Sequence, residues 1–234
     1  MTSRIRVAIL EDHQSTIDGY LYRLGNNPRL EIVSITRYGA ELEAALAAHP
    51  ADVLLLDLDV PTAPGNKNAY PVLNILPRLF QQHLGLAALV ISMFNERALI
   101  HAVLAAGVSS YILKDDAPAI RQLGAIIETV ANGGVYLSED ARAQLLPDER
   151  DDAAPRLTPR QHEALSLAAA YPDDGAAELA ARLYVTVSTA RNLLSGAYLR
   201  LGVSHRAAAV AKAQQLGLIT PNQPPHRRVD DSQA

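Results

Sequence analysis

The feature that most limits how this chain can fold is a series of five short apolar runs along its first half, at residues 5–10, 30–35, 53–56, 88–91 and 111–113. They are rich in Val, Ile and Leu, and most lack the polar alternation of a half-exposed strand. That is the pattern of parallel strands buried on both faces. Between them, segments such as 41–48, 98–106 and 118–132 repeat apolar residues at helical spacing, and Gly107 and Gly133 follow two of these, where helix ends favour glycine. Strands alternating with helices predict a doubly wound α/β sheet.

The second half has no such runs. Residues 146–155 are charged, flanked by proline and aperiodic, so a linker is expected over 139–155, after a first domain at 1–138. Beyond it the pattern is helical throughout 156–220. Thr158-Pro-Arg-Gln161 combines a capping box with proline at the first helical position. Further helices are expected at 176–183, at 188–201 before Gly202, and from a Ser204 cap to Leu216 before Gly217. Residues 221–234, with three prolines and several charges, are expected to be disordered.

Composition removes several functions. Of 234 residues none is cysteine, which excludes disulfides, thiolate metal sites and cysteine nucleophiles. No apolar run approaches the roughly 18 residues of a membrane helix, and the start, MTSRIRVAILED, meets an acidic pair too soon for a signal peptide; the expectation is a soluble, cytoplasmic protein. The seven histidines show no metal-ligand spacing, and outside the pocket described next no nucleophile and base pair is apparent, so an independent enzyme is not expected. The net charge of -4 hides a split: residues 1–146 carry -4, residues 147–154 carry -3, and residues 155–220 carry +3. Two units with different partners are implied.

In an open α/β sheet the ligand site lies beyond the carboxyl ends of the strands, where strand order reverses. Glu11 and Asp12 end the first run and Asp57 the third. For the order 2-1-3-4-5 those strands are neighbours at the reversal, so three carboxylates converge. Like charges that close need a cation between them, and hard oxygen ligands with room for water suit Mg²⁺. The fourth and fifth runs lead to Ser92 and Lys114, the latter one of only three lysines. A carboxylate beside a divalent ion, a hydroxyl and an ammonium can accept a phosphoryl group.

Through ILEDH, LLLDLDVP, VIS and YILKD, residues 1 to about 138 resemble a bacterial response-regulator receiver domain, a flavodoxin-like fold. LTPRQHEALSLAA, ELAARLYVTVSTAR and LGVSHRAAAV resemble the LuxR-type helix-turn-helix of the NarL/FixJ family, a small all-α domain of four helices. The resemblance implies that a histidine kinase phosphorylates Asp57. It implies Glu11, Asp12, Asp57 and the Asp59 carbonyl as Mg²⁺ ligands, Ser92 and Lys114 as phosphoryl-binding groups, and Tyr111 as a switch aromatic. There are departures. TAPGNKNAYP after Pro61 is a few residues longer than the usual loop, and Met93 replaces a small residue.

The helix expected at 188–201 has a polar face of Ser188, Arg191, Asn192 and Ser195, opposite Ala190, Leu194, Ala197 and Leu201. Arg191 suits a phosphate or guanine, Asn192 an adenine, and Thr186 and Ser188 suit phosphate oxygens; Thr189 and Arg200 complete the expected DNA-facing set. Against the family pattern, Ala177 stands for a common lysine and Leu193 for a frequent histidine, and Ser195 lacks a positive charge. The turn holding Asp173 and Asp174 is about two residues longer, and Gly196 inside the helix costs roughly 1 kcal/mol against alanine. So few cations predict weak binding by a monomer, hence a homodimer. The resemblance implies the last helix as the dimer helix, and its small residues suit either close packing there or burial inside the domain.

The expected function is a DNA-binding transcriptional regulator switched by phosphorylation of Asp57. Two other readings stay open at this level: an atypical receiver controlled by ligand or concentration, and a regulator whose degenerate helix-turn-helix contacts protein instead of DNA.

Overall fold

The computed structural model describes residues 4–145 and 157–220. The acidic stretch 146–156 and the tail 221–234, expected as linker and disordered end, lie outside the described residues. In chain order the first part comprises β1 (Ile5–Leu10), α1 (Gln14–Leu24), β2 (Leu30–Thr36), α2 (Leu42–Ala48), β3 (Val53–Leu56), β4 (Pro61–Ala63), β5 (Asn66–Ala69) and α3 (Val72–Gln82). It continues with β6 (Ala87–Ser92), α4 (Arg97–Ala105), β7 (Ser110–Leu113), α5 (Ala117–Arg121), α6 (Leu123–Ala131), β8 (Tyr136–Leu137) and α7 (Glu139–Ala143).

The main sheet is parallel, in the order β2-β1-β3-β6-β7-β8. Its first five members reproduce the expected order. Because successive strand side chains point to opposite faces, the runs of β1, β3, β6 and β7 each feed two cores. Ala8, Leu10, Leu54, Leu56, Ala88 and Val90 pack with α2, α3 and α4. Val7, Ile9, Leu55, Leu89, Ile91 and Ile112 pack with α1 and α6. This explains the missing polar alternation.

Four local expectations are corrected. The loop after Val60 folds into an antiparallel hairpin, β4 and β5, outside the main sheet. The helix expected over 118–132 breaks at Gln122, whose N–H bonds Ala119 O at 3.0 Å in a three-residue turn. The linker expected from 139 begins instead with α7, which follows β8 and extends the first domain. Ala141 is fully buried in its core with Leu145 packed against it, a tie that one small apolar residue among charged neighbours did not signal. The fourth correction concerns the last helix.

The second part comprises α8 (Pro159–Ala170), α9 (Ala176–Arg182), α10 (Val187–Leu201) and α11 (Arg206–Gln215). The expected capping box forms: Thr158 Oγ1 accepts from Gln161 N at 3.3 Å and Gln161 Oε1 from Thr158 N at 3.0 Å. Gly202 ends α10 in the left-handed region at φ 65°, where a side chain would be strained. The cap of α11 is His205, not Ser204. Its Nδ1 accepts from Ala208 N at 3.2 Å, the three-residue reach that fixes the helix start.

Arg206, at the start of α11, donates to the carbonyls of Ala168 at 2.8 Å, Tyr171 and Asp174, gathering the end of α8 and the turn after it. In Arg206→Ala, Tyr171 O keeps the Asp174 N–H at 3.2 Å, but the carbonyls of Ala168 and Asp174 lose the guanidinium that pairs them. The substitution is expected to destabilise the helical domain by about 2–3 kcal/mol, read from the denaturant midpoint of the full chain. A change within error would show that water replaces the guanidinium without loss.

Candidate functional site

Two backbone bonds assemble the pocket. Asp57 N donates to Leu10 O at 3.0 Å, tying the exit of β3 to that of β1, so that Asp57 comes beside Glu11. Lys114 N donates to Ser92 O at 2.9 Å, tying the exits of β7 and β6 in the same way. Lys114 Nζ then reaches across to lie 2.8 Å from Glu11 Oε2 and 2.8 Å from Asp57 Oδ2. Both carboxylates are almost wholly buried, at 1% and 4% exposure.

Ligand atoms of Glu11, Asp12, His13 and Asp57 lie within 4.8 Å of one another. Asp12 Oδ1 is buried without a hydrogen bond, although His13 Nδ1 stands 2.9 Å away. Sequence reading missed His13. Its position directly after the acidic pair was the available signal, and its N–H also bonds Glu11 Oε1 at 3.1 Å. Asp59 sits at the edge of the group, with its N–H on Asp57 Oδ1 at 3.2 Å.

The electrostatics follow from three carboxylates facing one ammonium. Burial, then the Asp57 charge, raises the Glu11 carboxyl, with Lys114 opposing. Burial alone would lower the Lys114 ammonium, but Asp57 and Glu11 outweigh it and raise it. Asp59 is pushed up to about 6 by burial and by the charges of Asp57 and Asp12. Since this folded value exceeds 3.8, Asp59 favours folding at low pH and that contribution is lost as pH rises through 6. Asp59→Asn removes the charge. Without added metal it is expected to raise the unfolding temperature at about pH 8 by roughly 2–4 °C, on the order of 1 kcal/mol. The gain should shrink as pH falls below 6 and vanish only below about 3.8, where Asp59 is protonated in both the folded and unfolded chain; an equal gain at both extremes would contradict this cause.

Ser92 is fully buried, its Oγ accepting from Phe94 N at 3.3 Å. Tyr111 is also fully buried, its hydroxyl donating to Phe94 O at 2.7 Å, and burial raises the phenol. Met93, between them in sequence, is 44% exposed.

In the second part, α10 shows the expected division. Ser188, Thr189, Arg191, Asn192 and Ser195 are exposed, whereas Ala190, Leu194, Ala197 and Leu201 are buried. Arg200 is exposed in its last turn. The Thr186 hydroxyl is committed to the helix cap, accepting from Thr189 N at 3.2 Å and lying 2.9 Å from Ser188 Oγ.

A doubly wound sheet with carboxylates and a lysine at its switch point, joined to a helix-turn-helix unit with a free polar helix face, defines a transcriptional response regulator. The chain is 30% identical over 219 residues to the probable transcriptional regulatory protein NarL of Mycobacterium tuberculosis, covering 92% of this chain and 96% of that one. It is likewise 30% identical over 203 residues to the transcriptional regulatory protein UhpA of Salmonella typhimurium, covering 86% and 93%. The chain belongs to the NarL/FixJ family of response regulators. Among solved structures, RcsB from Salmonella enterica serovar Typhimurium, bound to promoter rprA in the presence of the phosphomimetic BeF3-, shares the fold. Its TM-score is 0.62 at 22% identity, covering 90% of this chain and 98% of that one. No protein-family model matches the chain. No helix among the described residues is long and apolar enough to cross a membrane.

Proposed function

We propose that Asp57 is the phosphoacceptor of a sensor histidine kinase and that its phosphorylation controls DNA binding through α10. The observation that carries this is the buried triangle of Glu11, Asp57 and Lys114, with Nζ 2.8 Å from each carboxylate. An Asp57 carboxylate oxygen attacks phosphorus of the kinase's phosphohistidine; the P–N bond breaks and its electron pair leaves with the imidazole. Lys114 then binds phosphoryl oxygens in place of the carboxylate, and the Ser92 hydroxyl supplies a further donor. Tyr111, already buried beside Ser92 and Phe94, is the aromatic that fills the space behind the displaced hydroxyl.

The acidic group fits a divalent ion: three carboxylates face one ammonium, and the buried Asp12 oxygen lacks a donor. Glu11, Asp12, Asp57 and the Asp59 carbonyl would hold Mg²⁺, which when bound offsets charge on the phosphoryl oxygens.

For DNA, Arg191, Asn192, Ser188, Thr189 and Ser195 form the reading face, with Arg200 at its far end. The reading draws support from RcsB, whose dimers are described on DNA, and it makes this chain a homodimer when bound. Acetyl phosphate with Mg²⁺ is expected to add one phosphoryl group to the wild type, seen by intact mass, and none to Asp57→Asn. No gain on wild type, or an equal gain on both, would overturn the assignment.

A further inference from the structure

Two of the departures from the family pattern, the long loop after Pro61 and the long turn holding Asp173 and Asp174, lie about 100 residues apart in sequence. In the structure they meet. The tip of the β4–β5 hairpin and residues 171–174 line one cleft, with Lys67 on one wall and Asp173 on the other.

The contact is specific. The last carbonyls of a helix have no partner within it and must be satisfied from outside. In α8, Arg206 takes Ala168 O, whereas Ala170 O accepts from Asn66 Nδ2 at 2.7 Å and Asn68 Nδ2 at 3.3 Å. The receiver therefore completes the C-cap of a helix in the other domain. The hairpin is built for it: Asn66 Oδ1 accepts from Asn68 N at 3.1 Å and from Asn68 Nδ2 at 2.7 Å, aligning both amides, and Thr62 Oγ1 donates to Asn68 O at 2.8 Å. Its base is held by Tyr70 N on Val60 O at 2.9 Å, only three residues past Asp57. A third amide, Asn74 of α3, donates to Glu163 O of α8 at 3.1 Å. Meanwhile α10 keeps its polar face exposed, so the contact holds the domain without covering that face.

We propose that the inserted hairpin is a clasp by which the unphosphorylated receiver holds the DNA-binding domain, with Ala170 O of α8 as its catch. It rests on the assignment of Asp57 only for what releases it, since the hairpin base is rooted in the segment that carries that residue. Asn66→Asp tests the catch with almost no change of shape. The side chain still accepts from Asn68 N, but its donor becomes a carboxylate facing a carbonyl at the negative end of α8.

The full chain has no cysteine, so spin labels can be placed at L84C in the receiver and L199C in the helical domain, where the native side chains are 91% and 82% exposed. Pulsed dipolar spectroscopy without any phosphoryl donor is expected to give one narrow distance peak. Asn66→Asp should lose that peak to a broad, longer distribution, and Asn66→Ala with Asn68→Ala should do the same while the receiver's thermal midpoint stays unchanged. A peak that stays narrow in both variants, or a parent distribution already broad, would overturn the clasp. Because no phosphate is present, the result is independent of whether Asp57 accepts one.

Discussion

Lys114→Ala is expected to lower stability by about 3–5 kcal/mol, because it strips the counter-ion from two buried carboxylates and leaves their charges unpaired. For a chain of this size that is on the order of 10 °C in the unfolding temperature. The Nζ group lies 2.8 Å from both Glu11 and Asp57, so one side chain neutralises the pair. Two conditions should shrink the deficit. Lowering the pH should do so because Glu11, already raised by burial and by Asp57, loses the cation that held it down and takes up a proton more readily. Adding Mg²⁺ should also do so, since a dication occupying the acidic group binds only the folded state. A deficit unchanged by both would mean that the loss comes from packing and not from charge. The same variant should gain little stable phosphorylation, the outcome that separates a structural lysine from one that binds phosphoryl oxygens.

Arg191→Ala should cut affinity for a specific DNA site by about 5–150-fold, or about 1–3 kcal/mol, if Arg191 reads a base. Genome-wide DNA capture would then lose its enriched sites in the variant, while equal enrichment would remove Arg191 from the interface. The salt dependence is expected to be shallow. Of the six described Lys and Arg residues of the helical domain, Arg206 is spent on backbone carbonyls, and Arg160 and Arg182 are paired with Glu163 and Asp174. With about two phosphates neutralised per protomer, the slope of log K against log salt for a dimer should be no steeper than about -4. A markedly steeper slope would mean that the receiver or the tail also touches DNA.

Much of this was legible in the sequence, and the reason is period. Residues 5–10 and 53–56 could only be strands buried on both sides, which brought Glu11, Asp12 and Asp57 to one end of the sheet before any coordinates. The apolar spacing of Ala190, Leu194, Ala197 and Leu201 likewise left Ser188, Arg191 and Asn192 outside. What resisted reading was short or built on single contacts. Helix α7 depends on one buried alanine, and the break at Gln122 on one turn. The start of α11 moved by a residue because His205, not Ser204, stands three positions before the amide it caps. His13 joined the acidic group although its spacing resembles no ligand motif.

Local pattern and strand order therefore determined, from the sequence alone, the two domains' folds and which carboxylates share a pocket, because periodicity records which face each residue buries. Tertiary structure alone decided that Lys114 bridges Glu11 and Asp57 and that Tyr111 is wholly enclosed. It also decided that the hairpin after Pro61 caps a helix of the other domain. The lysine bridge and the hairpin cap join residues 57 to 104 positions apart through single hydrogen bonds, and no periodic signal in the chain encodes which distant partner a given side chain will meet.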